Sequence, residues 1–241
     1  LKEGNAMWPY YGYYFDPTYI LVVIGVILSI AASARVKTTF SKYSRIRSLS
    51  GMTGAQAAER ILRSSGIYDV RIERVSGQLS DHYDPRTKVL RLSDSVYGQS
   101  SVAAIGVAAH ECGHAIQHER AFIPLKLRGL LVPVANFGAS IAWPLILIGL
   151  LFANSQFLID LGIILFSLAV AFHLVTLPVE FDASRRAIAR LGETGILTGE
   201  EIKHTRKVLN AAALTYVAGA AAAILQLLRL IILFGGGRDR D

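Results

Sequence analysis

Between Arg128 and Asp160 the chain runs for 31 residues without a charged side chain. Few environments admit such a run. A hydrocarbon layer is crossed by roughly 17 to 25 apolar residues in a helix, whose backbone amides are bonded within the same segment. This run is too long for one crossing and is broken at the polar triplet Asn154, Ser155, Gln156. It therefore reads as a tight helical hairpin whose second arm continues past Asp160 to about Leu177. Two further stretches qualify as spans, Thr18 to Ala34 and Val208 to Phe234. The last contains Arg229 near its far end, where a long stem can carry the charge to the surface. Hydrophobic residues make up 52% of the chain and charged ones 18%, which fits a membrane protein better than an ordinary soluble domain.

Charge sets the direction of these spans. Of 25 Lys and Arg residues, 21 fall between Arg35 and Arg128 or between Arg185 and Lys207, and by the positive-inside bias that face is cytoplasmic. The expected plan has an extracytoplasmic segment (1–17), a first transmembrane helix (18–34) and a cytosolic module (35–128). A transmembrane hairpin (129–177), a second cytosolic segment (178–207), a last span (208–234) and a C-terminal tail (235–241) follow. Residues 1–6, ahead of Met7, lack the basic start and cleavage site of a signal peptide and read as a cloning remnant. The net charge of +7 reports orientation in a bilayer, so nucleic acid is not an expected partner. A single cysteine, Cys112, forms no internal disulfide and suits a reducing compartment.

Within the cytosolic module, Thr53 and Gln56 have capping-box spacing ahead of a helix over 54–64, and Gly66 sits where a left-handed cap is expected. Val70, Ile72 and Val75 suggest a strand. A second strand pair folds about Asp84-Pro85-Arg86-Thr87, and Ser100 or Ser101 caps a helix over 102–117. The fold class is thus a mainly α membrane protein, with four transmembrane helices and a small α+β zincin-like cytosolic module.

The helix over 102–117 carries His110-Glu111-Cys112-Gly113-His114, an HExxH pattern. Residues four apart lie on one helix face about 6 Å apart, so both imidazoles can reach one zinc ion, with Glu111 beside them as general base. Cys112 projects to the opposite side and reads as packing. His118 extends the ligand face, but about 12 Å along the axis separates it from His110, too far to share the ion. A catalytic site needs a third protein ligand and an open position. Glu180, just past the third span, is expected to supply it, because two crossings return the chain to the same face. Asp182 competes, but two residues turn it about 200° away. An ion pair with Arg185 or Arg186 is the plainer reading of Glu180, and Pro178 starts or kinks its helix.

These segments together resemble the YugP-like neutral zinc metallopeptidases of bacterial membranes. The likeness runs from Phe15-Asp16-Pro17-Thr18-Tyr19 through Asp81-His82-Tyr83-Asp84-Pro85 and the HExxH segment to Leu214-Thr215-Tyr216-Val217. It implies a membrane-integral zinc endopeptidase with one Zn2+ per chain, distantly like the HtpX metalloproteases, whose third ligand is the Glu of a Glu-x-x-x-Asp pattern. Glu180 matches that Glu, whereas Ser184 stands in place of the Asp that orients a liganding histidine.

Other residues suggest supporting roles. His82 and Tyr83 could line a substrate cleft, or simply form an exposed hairpin. Tyr216 and His204 are candidates for stabilising an oxyanion. His173, inside the third span, reads as a neutral histidine bonded to a neighbouring helix, and Asp160 and Arg229 as interfacial anchors.

The expected activity is hydrolysis of peptide bonds at the cytosolic surface of the plasma membrane, with a peptide or membrane protein as substrate and the lipid bilayer as surroundings. The competing reading is a non-catalytic scaffold or chaperone with a structural metal, which would not require Glu111. A channel or transporter is disfavoured because the spans show few polar residues and no paired charges.

Overall fold

The computed structural model describes residues 16–152 and 155–235. Residues 1–6, expected to be a remnant, most of the N-terminal segment expected on the extracytoplasmic side, Asn154 of the polar triplet and the tail from 236 onward lie outside the described residues. Among the described residues the order is α1 (Tyr19–Ser44), α2 (Gly54–Ser64), β1 (Arg71–Val75), β2 (His82–Asp84), β3 (Val89–Ser93), α3 (Val102–Glu119), α4 (Ile123–Leu151), α5 (Gln156–Glu193) and α6 (Gly199–Phe234). Four of these, α1, α4, α5 and α6, are long and apolar enough to cross a membrane.

The local signals act as their chemistry requires. Thr53 Oγ1 accepts the Gln56 amide while Gln56 Oε1 accepts the Thr53 amide, so the capping box starting α2 is complete. Gly66 takes φ +77° just beyond the end of α2, a conformation that favours glycine. Ser101, rather than Ser100, caps α3 by accepting the Ala104 amide. Strands β2 and β3 pair antiparallel around the 84–87 turn, with Tyr83 opposite Leu90. Strand β1 joins the other edge of β3 in parallel, giving the order β1-β3-β2.

The sheet and α2 close over α3, which is the most deeply enclosed element. Ile61, Leu90, Leu92, Ile105, Leu191, Ile196 and Leu197 are fully buried in one core shared by the module, the C-terminal part of α5 and the N-terminal part of α6. Each such side chain contributes about 1.5–3 kcal/mol of burial. The module is therefore anchored to the membrane helices by packing as well as by the chain.

The helices run on past the apolar stretches expected to span the membrane: α1 continues to Ser44, α4 already starts at Ile123 and α6 begins at Gly199. At the head of α6 the Thr198–Glu201 capping box marks the start. Pro178 starts no new helix, because α5 passes through it from Gln156 to Glu193. Val179, Ala183 and Ala187 beyond it are buried, which favours continuing the helix against the local cost of proline.

Arg229 does not simply reach for the surface. Its guanidinium bonds Asp16 Oδ2 at 2.9 Å and lies 4.2 Å from the centre of the Tyr19 ring, so the start of α1 is tied to the end of α6. This partner lies 213 positions away in the chain. The hairpin expected between the second and third spans is present as the packed pair α4 and α5. A β-carbon at Gly162 would stand 2.8 Å from the Ala142 carbonyl, so glycine lets these backbones approach.

Candidate metal centre

Helix α3 presents His110 and His114 on one face, as four-residue spacing requires, and their rings meet edge to face with centres 4.8 Å apart. Helix α5 brings Glu180 against that face. Gly113, between the two histidines, permits the approach, since a β-carbon there would stand 2.5 Å from the Ala183 carbonyl oxygen. Glu180 Oε2 consequently lies 3.2 Å from His110 Nε2 and 3.5 Å from His114 Nε2.

These separations fit a metal. Ligand bonds of about 2.0–2.2 Å in a tetrahedron place neighbouring donor atoms about 3.4 Å apart. One donor atom from each of His110, His114 and Glu180 lies within 4.8 Å of the others. The charge arrangement fits as well, because a buried carboxylate facing two ring nitrogens favours positive charge between them. The same charges act on His114: burial pushes its imidazole down, but the Glu180 hydrogen bond and the charges of Glu111 and Glu180 raise it.

The remaining ring nitrogens are also occupied. His110 Nδ1 lies 3.1 Å from Ser184 Oγ, and His114 Nδ1 lies 3.0 Å from Gln117 Oε1. Gln117 cannot easily turn its amide round, because its Nε2 donates to the Val179 carbonyl at 2.8 Å and to Asp182 Oδ2 at 3.0 Å. With its oxygen thus directed at His114, the Nδ1 proton is favoured and Nε2 keeps its lone pair for a metal. Ser184 can serve His110 in the same way through its hydroxyl, without the charge of an aspartate.

Asp182 points away from the three donors, as its helical offset requires. Its carboxylate is held by Arg185, Arg186 and Gln117. The ion pairs foreseen for Glu180 with those arginines thus belong to Asp182. Glu180 is instead paired with Arg128 of α4, whose Nη1 donates to Oε1 at 2.9 Å. Neither Arg128 nor Gln117 was singled out from sequence. Gln117 had a signal, three residues after His114 on one helix face. Arg128 had none, since only the folded chain sets it opposite Glu180.

A cleft of about 500 Å³ opens over these residues, with Glu111, His114, Glu180, Arg128 and Tyr216 in its wall. Glu111 is buried to 7% exposure yet borders the cleft. Tyr83 and His118 line it too, joined at 2.9 Å between the phenol oxygen and Nδ1. Burial pushes the Tyr83 phenol up to about 12. His118 stands outside the donor group, as its distance along the helix predicts. His82 also lines the cleft, and its Nδ1 meets the Ser80 carbonyl at 2.9 Å.

The other singled-out residues lie elsewhere. His204 stacks on Tyr43 with ring centres 4.9 Å apart and does not border the cleft. His173 faces α6, where a β-carbon at Gly219 would come within 3.6 Å of its ring. Cys112 is fully buried against α2, with Sγ 3.6 Å from the Ala58 carbonyl, and burial raises its thiol well above the usual range.

Helices long enough to span a membrane and a site of two histidines and one carboxylate together define a membrane metalloprotein. The family profile described as "Putative neutral zinc metallopeptidase" matches residues 18–235, and the chain belongs to that family. It is also 48% identical over 221 residues to the "Putative membrane protease YugP" of Bacillus subtilis (strain 168), covering 92% of this chain and 98% of the relative. Zinc is accordingly the metal that the donor set and the family share. No solved structure matches the chain.

Proposed function

We propose that the chain is a membrane-integral zinc endopeptidase that cleaves peptide bonds at the cytosolic surface of the plasma membrane. The observation that carries this reading is the placement of Glu180 Oε2 at 3.2 and 3.5 Å from the two Nε2 atoms, in the wall of a cleft shared with Glu111. His110, His114 and Glu180 are the ligands, and Glu111 is the catalytic base. When bound, zinc would polarise the scissile carbonyl and lower the pKa of water. Glu111 takes a proton from the attacking water and delivers it to the leaving amine. Ser184 and Gln117 keep both imidazoles oriented, and Arg128 holds the outer oxygen of Glu180. Tyr216 borders the same cleft and is a candidate for stabilising the oxyanion.

A scaffold with a structural metal fits less well. Structural zinc is normally enclosed by four protein ligands, whereas the donor group among the described residues has three and faces a cleft. The test compares the membrane proteomes of cells expressing the wild type and Glu111→Gln. A substrate should lose a fragment only with the wild type; identical fragment patterns would contradict the peptidase reading.

Orientation follows from the 21 basic residues that share one side. A cysteine replacing Arg86 in a Cys112→Ser background should resist impermeant thiol reagents in intact cells. Ready labelling would reverse the topology.

A further inference from the structure

The cleft is not a feature of the extramembrane module alone. One wall is the beginning of α4 with its cap residue Phe122, where Leu125, Gly129 and Val132 line it beside Lys126 and Arg128, and Tyr216 of α6 borders it too. Tyr216 lies eight residues into the apolar stretch of α6 that starts at Val208, about 12 Å along the helix. Glu180 stands three residues beyond the apolar end of the third span. By hydropathy the metal ligands fall at the ends of the apolar stretches, and the cleft runs alongside the start of those stretches. Ile123, Leu127 and Leu130 are exposed on the same opening turns of α4, an apolar face suited to an interfacial layer. Another part of the wall is β2, an edge strand of the sheet, with His82 and Tyr83.

From this juxtaposition we infer that the substrate is itself anchored in the membrane, and that the segment cleaved lies within a few residues of where it leaves the bilayer. The inference rests on the peptidase reading and adds to it the class of substrate. A peptide free in solution has to enter the interfacial layer to reach Glu111 and Glu180. A chain emerging from the bilayer is already at that depth, its apolar residues meeting Leu125 and Val132 and its extended part passing along β2. Anchoring also converts capture into an encounter at high effective concentration.

Two features of this arrangement can be measured separately: attachment to the membrane, and distance from it. The holoenzyme is reconstituted in phosphatidylglycerol–phosphatidylethanolamine vesicles with one cleavable sequence in three forms. These are a soluble peptide, a peptide joined directly to an apolar transmembrane anchor, and the same anchored peptide with a flexible 20-residue spacer. The directly anchored form should be cleaved with kcat/KM at least about tenfold above both others. Equal cleavage of the soluble form would overturn the inference and leave the peptidase reading intact. Equal cleavage of the spaced form would show that the membrane only concentrates substrate, which also overturns it. Cleavage of none of the three, with zinc bound, would count against the peptidase reading and the inference with it.

A second measurement reads binding without turnover. In the Glu111→Gln protein, a photoreactive benzoylphenylalanine replacing Leu125 should crosslink the directly anchored peptide and not the soluble one. Crosslinking to lipid acyl chains alone would mean that lipid fills this wall, and would overturn the assignment.

Discussion

Arg128 and Glu180 sit on different membrane helices and meet through a single hydrogen bond of 2.9 Å, from Nη1 to Oε1. The carboxylate is thereby divided: Oε1 answers to Arg128 and Oε2 faces the two imidazoles. A charge-assisted bond of this kind restricts rotation of the carboxylate as a metal would need it. Arg128→Leu should therefore weaken zinc affinity by about 10- to 100-fold, the usual effect of losing an outer-shell partner. Competition with a chromophoric chelator measures it, and unchanged affinity would leave Arg128 without a part in holding Glu180.

The approach of α3 to α5 depends on Gly113. An alanine there would drive its β-carbon to 2.5 Å from the Ala183 carbonyl oxygen, which only a shift of one helix can relieve. Such overpacking costs about 1–3 kcal/mol, and the displacement falls directly on the donor set. Gly113→Ala should lower zinc content of the purified protein and its thermal midpoint together. Gly192→Ala, on α5 with open space around it, should change neither.

Ser184 offers a graded test of how His110 is oriented. Removing the hydroxyl with Ser184→Ala should cost about tenfold in zinc affinity, because Nδ1 loses its 3.1 Å partner. Ser184→Asp, which restores the carboxylate expected from the family pattern, should bind zinc more tightly than the wild type, since a carboxylate raises the basicity of the ring. An affinity for Ser184→Asp below that of Ser184→Ala would show that the site is built around a neutral partner.

The parts legible in the sequence were those governed by local periodicity and caps. The uncharged run at 129–159, the spacing of His110 and His114 and the Thr53–Gln56 box each speak through neighbours along the chain, and each appears where expected. Glu180 was reachable by a coarser argument, that two crossings return the chain to one face. Contacts across the fold carry no such local mark. Arg128 is 52 residues from Glu180 and Asp16 is 213 from Arg229, and nothing near either residue indicates its partner. The continuation of α5 through Pro178 was hidden for a related reason. The burial that favours it comes from packing beyond the helix itself, while the proline signal is local.

The central claim is that Glu111 and Glu180 have separable tasks, one moving a proton and the other holding zinc. Zinc content and hydrolysis of a cleaved substrate should be measured side by side on purified Glu111→Gln and Glu180→Gln. Glu111→Gln is predicted to keep stoichiometric zinc and lose at least about 10²-fold in turnover, the scale of general-base catalysis. Glu180→Gln is predicted to lose zinc affinity itself, because two imidazoles remain without the carboxylate. Zinc retained by Glu180→Gln at wild-type affinity, or full turnover by Glu111→Gln, would contradict the assignment.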